Sequence, residues 1–144
     1  MQVTVAVDIE EALRVDLSDI YARLGKPAQI VATALPADLG EIPQGDGLIA
    51  IRRVGGSRAD MVSDTMALVI DVYYGTWEES MTEANFLAGV ISQLPYQDDT
   101  STQYLRADIS TMPYALPDAG NPVFPRVRML VEMGVKARIE TLYI

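Results

Sequence analysis

The apolar positions of the chain change period several times, and each change marks an element. Ile9, Ala12, Leu13, Leu17, Ile20, Tyr21 and Leu24 recur at helical spacing on one stripe. Asp8 with Glu11 forms a capping-box start, and Gly25 followed by Pro27 forms a stop, so the spacing predicts a helix over 8–25. A second stripe of Trp77, Met81, Ala84, Leu87, Ala88, Ile91 and Leu94 predicts another helix, halted by Pro95. Thr76 with Glu79, or Ser80 with Glu83, suits its start. Phe86 and Val90 widen its apolar face toward a neighbour.

Elsewhere the period shortens to two. "AQIVATALP" reads as a strand ending at Pro36, and residues 37–47 as a turn-rich loop with Gly40, Pro43, Gly45 and Gly47. "LIAIRRV" and "MVSDTMALVIDVYYG" flank Gly55-Gly56 and read as a hairpin reversing at the glycines. In its second strand Met66, Leu68, Ile70, Val72 and Tyr74 share a face. "QYLRADISTM" sets Leu105, Ala107 and Ile109 against Tyr104, Arg106 and Asp108; a Pro-rich loop then spans 113–125. In the last strand Val127, Met129, Val131, Met133, Val135, Ala137 and Ile139 take one face. At about 3.3 Å per residue that strand would outrun a small domain, which predicts a bend or a projection.

The predicted order is α-β-β-β-α-β-β. The fold class that follows is α+β: one mixed or mostly antiparallel sheet of about five strands with two helices packed on one face. At 144 residues the expectation is a single domain over 1–144, with residues 1–7 as an N-terminal extension of unassigned role.

Composition narrows the chemistry. The net charge is −9, which disfavours non-specific binding to a DNA backbone. No Cys or His is present, which removes thiol nucleophiles, His-based triads and Cys/His zinc sites. No apolar run reaches the roughly 18–20 residues of a membrane span, so no membrane partner is expected. Of the eleven basic residues nine are Arg, a bias that fits either bidentate protein contacts or a GC-rich genome.

"IRRVGGSRAD" concentrates Arg52, Arg53 and Arg58 around Gly55 and Gly56. A Walker loop needs a Lys and a following helix, and this stretch has neither. Two readings stay open: a glycine turn with solvated arginines, or a hairpin that docks on another protein. Asp60 with Asp64, and Asp98 with Asp99, read as surface charge rather than as a catalytic pair. Asp38, Glu41 and Asp46 imitate a calcium loop only weakly. No catalytic, cofactor or metal residues are expected.

In order and spacing the chain resembles the tail terminator (tail completion) proteins of long-tailed, siphovirus-type bacteriophages. The phrases are "VATALPADLGEIPQGDGLIAIRRVGG", "LVIDVYYG", "EANFLAGVISQL" and "FPRVRMLVEMGVKARI", with Pro36, Arg53, Gly55-Gly56, Ala84, Ala88 and Pro125-Arg126 at the matching places. The resemblance implies a structural virion protein made in the host bacterial cytoplasm. It implies a homohexameric ring that caps the tail tube, meets the tube protein and the head-completion (stopper) protein, and lets viral DNA pass. In a terminator the hairpin residues Arg52, Arg53, Gly55, Gly56 and Arg58 are expected at a protein interface. Asp71, Asp108 and Glu132 are expected to line an acidic lumen. Alternatives are another ring of the same machine (a stopper or a tube protein), a carboxylate enzyme, or an unrelated binding domain.

Overall fold

The computed structural model describes residues 1–32, 47–117 and 125–144. Strand β1 (Gln2–Val5) precedes helix α1 (Ile9–Leu24) and strand β2 (Gln29–Ala32). Strands β3 (Leu48–Arg58) and β4 (Ser63–Tyr73) lead to helix α2 (Trp77–Gln93) and a single 3-10 turn, Leu94–Tyr96. Strands β5 (Tyr104–Ala115), β6 (Arg126–Lys136) and β7 (Arg138–Thr141) complete the order. The protein is α+β with a five-stranded mixed sheet, β2-β3-β4-β6-β5, and a separate pair, β1-β7. Among the described residues β2-β3 is the one parallel ladder; the others are antiparallel.

The helix limits follow local chemistry. The Asp8 carboxylate accepts from the Glu11 N–H, and Gly25 closes α1 in the left-handed region at φ 68°. Thr76 caps α2 by accepting from the Glu79 N–H, so of the two predicted starts this one is used. One hydrophobic cluster joins Ile9, Leu13, Leu17 and Tyr21 of α1 and Ala84, Leu87 and Ile91 of α2 to Met66, Leu68, Ile70 and Val72 of β4 and the alternate residues of β6. Strand β4 is central and buried on nearly every residue, which explains its almost continuous apolar run.

Four points are added or corrected. First, the extension 1–7, to which the sequence assigned no role, supplies β1, whose partner is β7. Second, the predicted final strand is two strands. At Ala137 the backbone leaves the main sheet, its N–H donating to the Val62 carbonyl at 2.7 Å, and β7 joins β1. Ile139 therefore lies exposed rather than on the core face. Third, the start of β5 is inverted: Tyr104 is buried and Leu105 is exposed, because a bulge between Tyr104 and Arg106 shifts the alternation. Fourth, the Pro-rich loop does not begin at 113; β5 runs through Pro113 to Ala115. As β5 has a neighbour only in β6, it is an edge strand, where a missing N–H is tolerated. Pro36 and the loop residues Asp38, Glu41 and Asp46 lie outside the described residues, as do residues 118–124.

Candidate interaction surface

The hairpin reverses at Ala59–Val62, not at the glycines. Asp60 organises the turn: its Oδ1 accepts from the N–H groups of Val62 and Ser63, both at 2.8 Å. The Val62 and then the Ser63 bonds hold its carboxyl below the ordinary range. Gly55 and Gly56 instead sit inside β3, opposite Ala67 and Met66, just past a register shift after Arg53. Both have φ near 140°, a conformation other residues rarely adopt. A Cβ on Gly56 would collide with the Thr65 carbonyl oxygen of the neighbouring strand, whereas one on Gly55 would meet open space. The glycines thus allow a bulge and a close strand approach rather than a chain reversal.

Beyond Ile51 every residue of β3, Arg52 to Arg58, is exposed. Strand β2 pairs with residues 48–51, and among the described residues the distal half has no sheet partner on its outer edge. The Arg53 N–H donates to Glu10 Oε1 of α1 at 2.9 Å, which occupies one edge donor. Arg52 makes no ion pair among the described residues. Val54, Met61 and Val62 are exposed apolar side chains near the same end, Met61 at 83%.

Arg58 behaves differently from the other two arginines. It forks onto Asp64, Nε–Oδ1 at 2.7 Å and Nη2–Oδ2 at 3.3 Å, and its Nη1 donates to the Thr4 carbonyl at 3.0 Å. Thr4 Oγ1 returns a bond to the Met61 carbonyl at 2.9 Å. Its carboxylate partner therefore lies within its own chain, where it ties the hairpin to β1. Asp64, so engaged, does not pair with Asp60. Of the second acidic pair, Asp99 meets Arg23 at 3.2 Å.

The three expected lumen acids separate into two groups. Asp71 is not a wet residue: its carboxylate is buried, 5% exposed, and bridged by Arg128 on β6 at 2.7 and 3.0 Å. That bond raises the Arg128 pKa. Asp108 and Glu132 are exposed and face each other directly across β5 and β6. Two like charges in that position repel; Arg106, which pairs with Asp108, offsets part of this.

Sequence reasoning passed over one buried carboxylate. Asp16 of α1 accepts from the Ser101 N–H at 2.7 Å, Ser101 Oγ at 2.8 Å and Tyr104 Oη at 2.6 Å. Burial first, then the bond to Asp16, pushes the Tyr104 pKa up, which keeps the phenol a donor. The signal was present: a charged residue three positions after Leu13, on the apolar stripe. What it holds is the entry to β5, a contact across 85 residues of chain.

A groove of about 510 Å³ runs between the last turns of α1 and the second half of α2. Among the described residues no group of acids could hold a metal ion, and no helix is long and apolar enough to cross a membrane. No protein-family model and no curated protein sequence matches the chain.

Proposed function

We propose that the protein is a structural subunit of a long-tailed bacteriophage virion, of the tail-terminator kind. Six copies form a ring that caps the tail tube and docks the head-completion protein, and viral DNA passes through the bore without specific contacts. The observation that carries this reading is β3. Its first four residues are buried in the sheet, and its next seven are all exposed, with Arg52 and Arg53 on an edge that no strand among the described residues covers. An open edge of this kind is a template for contact with another chain. The single cluster that gathers both helices against one set of sheet residues supports the two-layer arrangement expected of such a subunit.

The charges fit the same reading. A ring built from −9 chains repels a sliding DNA backbone rather than trapping it. Asp108 and Glu132, adjacent and exposed, are the acids to place toward the bore; Asp71 is spent on Arg128. Asp60 and Asp64 are held by separate partners, which leaves the pair no shared proton chemistry to offer.

The test is complementation. Purified protein is added to tails that lack their own terminator, and joined particles are counted by electron microscopy and plaque yield. One ring at the tube end, with joining lost in Arg52→Glu/Arg53→Glu, supports the reading. Stacking of many rings along the tube would make the chain a tube protein instead. Failure to bind either tails or heads would overturn the reading.

A further inference from the structure

A polar pocket of about 240 Å³ opens where the end of α1 and the first turns of α2 meet Tyr74. It is lined by Gly25, Lys26, Pro27, Tyr74, Glu79 and Glu83. Two buried polar atoms at this place, Glu83 Oε2 and the Tyr21 hydroxyl, have no hydrogen-bond partner among the described residues. Tyr21 is 2% exposed. Burial first, then Tyr74 and Glu83, push its pKa up, which sets its hydroxyl against two residues of the pocket lining. We propose that this pocket binds a guanidinium group.

The charge balance favours a cation. Glu79 and Glu83 are neighbours at i,i+4 on one face of α2, where like charges repel. Glu79 belongs to the first turn, which the helix dipole favours; Glu83 lies a turn further in and has no such support. Lys26 only half answers them. Its Nζ stands 3.3 Å from each Glu83 oxygen, long for a charge-assisted bond, and bonds Oε1 alone. The same ammonium lies over the Phe86 ring at 4.3 Å. Two carboxylates thus face one ammonium, on a chain of net charge −9. A bridging water would satisfy the two orphan atoms but leave the surplus negative charge.

The unbonded groups favour guanidinium over a second ammonium. A guanidinium carries five N–H donors in one plane, enough for Glu83 Oε2, Glu79 and the lone pairs of the Tyr21 hydroxyl together. Its plane also stacks on aromatic faces. Tyr74 is held in place for this: its ring lies against Gly47, where a Cβ would collide with it, and its hydroxyl donates to the Pro27 carbonyl at 3.4 Å. The group can arrive as a free guanidinium compound or on an arginine of a second copy. Arg52, exposed and without an ion pair among the described residues, is the candidate within this sequence.

The experiment is an NMR titration of the ¹⁵N-labelled protein with ethylguanidinium, with ethylammonium as control. The expected result is saturable shifts at Lys26, Tyr74 and Glu83. Affinity should fall at least about tenfold for ethylammonium and in Glu83→Gln, the equivalent of one lost charge-assisted bond. Tyr21→Phe should weaken binding severalfold while the denaturant midpoint stays the same or rises, because the hydroxyl removed has no partner in the fold. Raising the protein concentration without the probe separates the two sources. Shifts of the same amides that vanish in Arg52→Ala identify a second copy, and unmoved amides identify a free molecule. Absent or unsaturable shifts with ethylguanidinium, or shifts equal for ethylammonium and indifferent to Glu83→Gln and Tyr21→Phe, would overturn the proposal and leave a pocket that holds water only. The ring reading stands or falls separately, by complementation.

Discussion

Strand β4 carries two aspartates seven residues apart, and each is bridged by an arginine of the strand beside it. Because alternation along β4 is unbroken, Asp64 and Asp71 project to opposite faces of the sheet. Asp71 meets Arg128, its direct partner on β6, and Asp64 meets Arg58, its direct partner on β3. The two carboxylates are equally buried, at 5% and 6% exposure. The arginines are not: Arg128 is 20% exposed and Arg58 is 43%. The same residue pair in the same register thus does two jobs. Arg128 neutralises an acid between two interior strands. Arg58 stays half in water and spends its remaining donor on the Thr4 carbonyl, holding β1 against the hairpin. A two-stranded sheet is marginal alone, and this clamp helps make β1-β7 part of the protein.

The sharpest way to break the comparison is Arg128→Ala. It strands a buried carboxylate inside the sheet, and the expected loss is about 3–5 kcal/mol in denaturant unfolding. Arg58→Ala should cost clearly less, because water reaches the guanidinium side of the pair. It should also speed hydrogen exchange in β1 and β7, which Arg128→Ala should do only through global unfolding. Equal losses from the two variants, or unchanged exchange in β1, would show that the two pairs do the same job.

The strand that presents Arg58 supplies the next test. Gly56→Ala meets both an unfavourable φ and the Thr65 carbonyl, whereas Gly55→Ala meets the φ alone. Gly55→Ala should cost about 1–2 kcal/mol and Gly56→Ala clearly more, and the latter should loosen the Arg58–Asp64 register. A smaller cost at 56 than at 55 would mean that the bulge relocates.

The smallest effect is on pH dependence. The folded Asp60 carboxyl lies below its ordinary value of 3.8. The stability it gives the hairpin turn is therefore complete above that value and fades as pH falls through it toward the folded pKa. Tyr104 is the opposite case, raised above its ordinary 10.0, so its contribution is complete below pH 10 and declines as pH rises further. Acid unfolding monitored in Asp60→Asn should lose the first slope, and alkaline unfolding in Tyr104→Phe the second. Unaltered profiles in both variants would remove these groups from the account.

Much of this fold was legible in order. Both helices begin at Asp8 and Thr76 because a short oxygen-bearing side chain there satisfies a free N–H, a purely local effect. The inner face of β4 and β6 follows from period two, also local. The aspartates carried a partial signal, since a charge inside "LVIDVYY" or on the α1 stripe must find a partner to be buried. Which partner was beyond reach, because it depends on register: Arg128 lies 57 residues from Asp71, and Ser101 lies 85 from Asp16. The turn was misplaced because two glycines signal positive φ equally well for a reversal and for a bulge. Only the Thr65 carbonyl pressed against Gly56 distinguishes them. The break at Ala137 has the same origin. The apolar alternation from Val127 to Ile139 is uninterrupted, and the chain leaves the sheet only because Val62 and β1 are there to receive it. Local chemistry sets where elements start, stop and turn their apolar sides. Tertiary structure decides which strands meet, and so which charges are buried and which, like Arg52, are left facing outward.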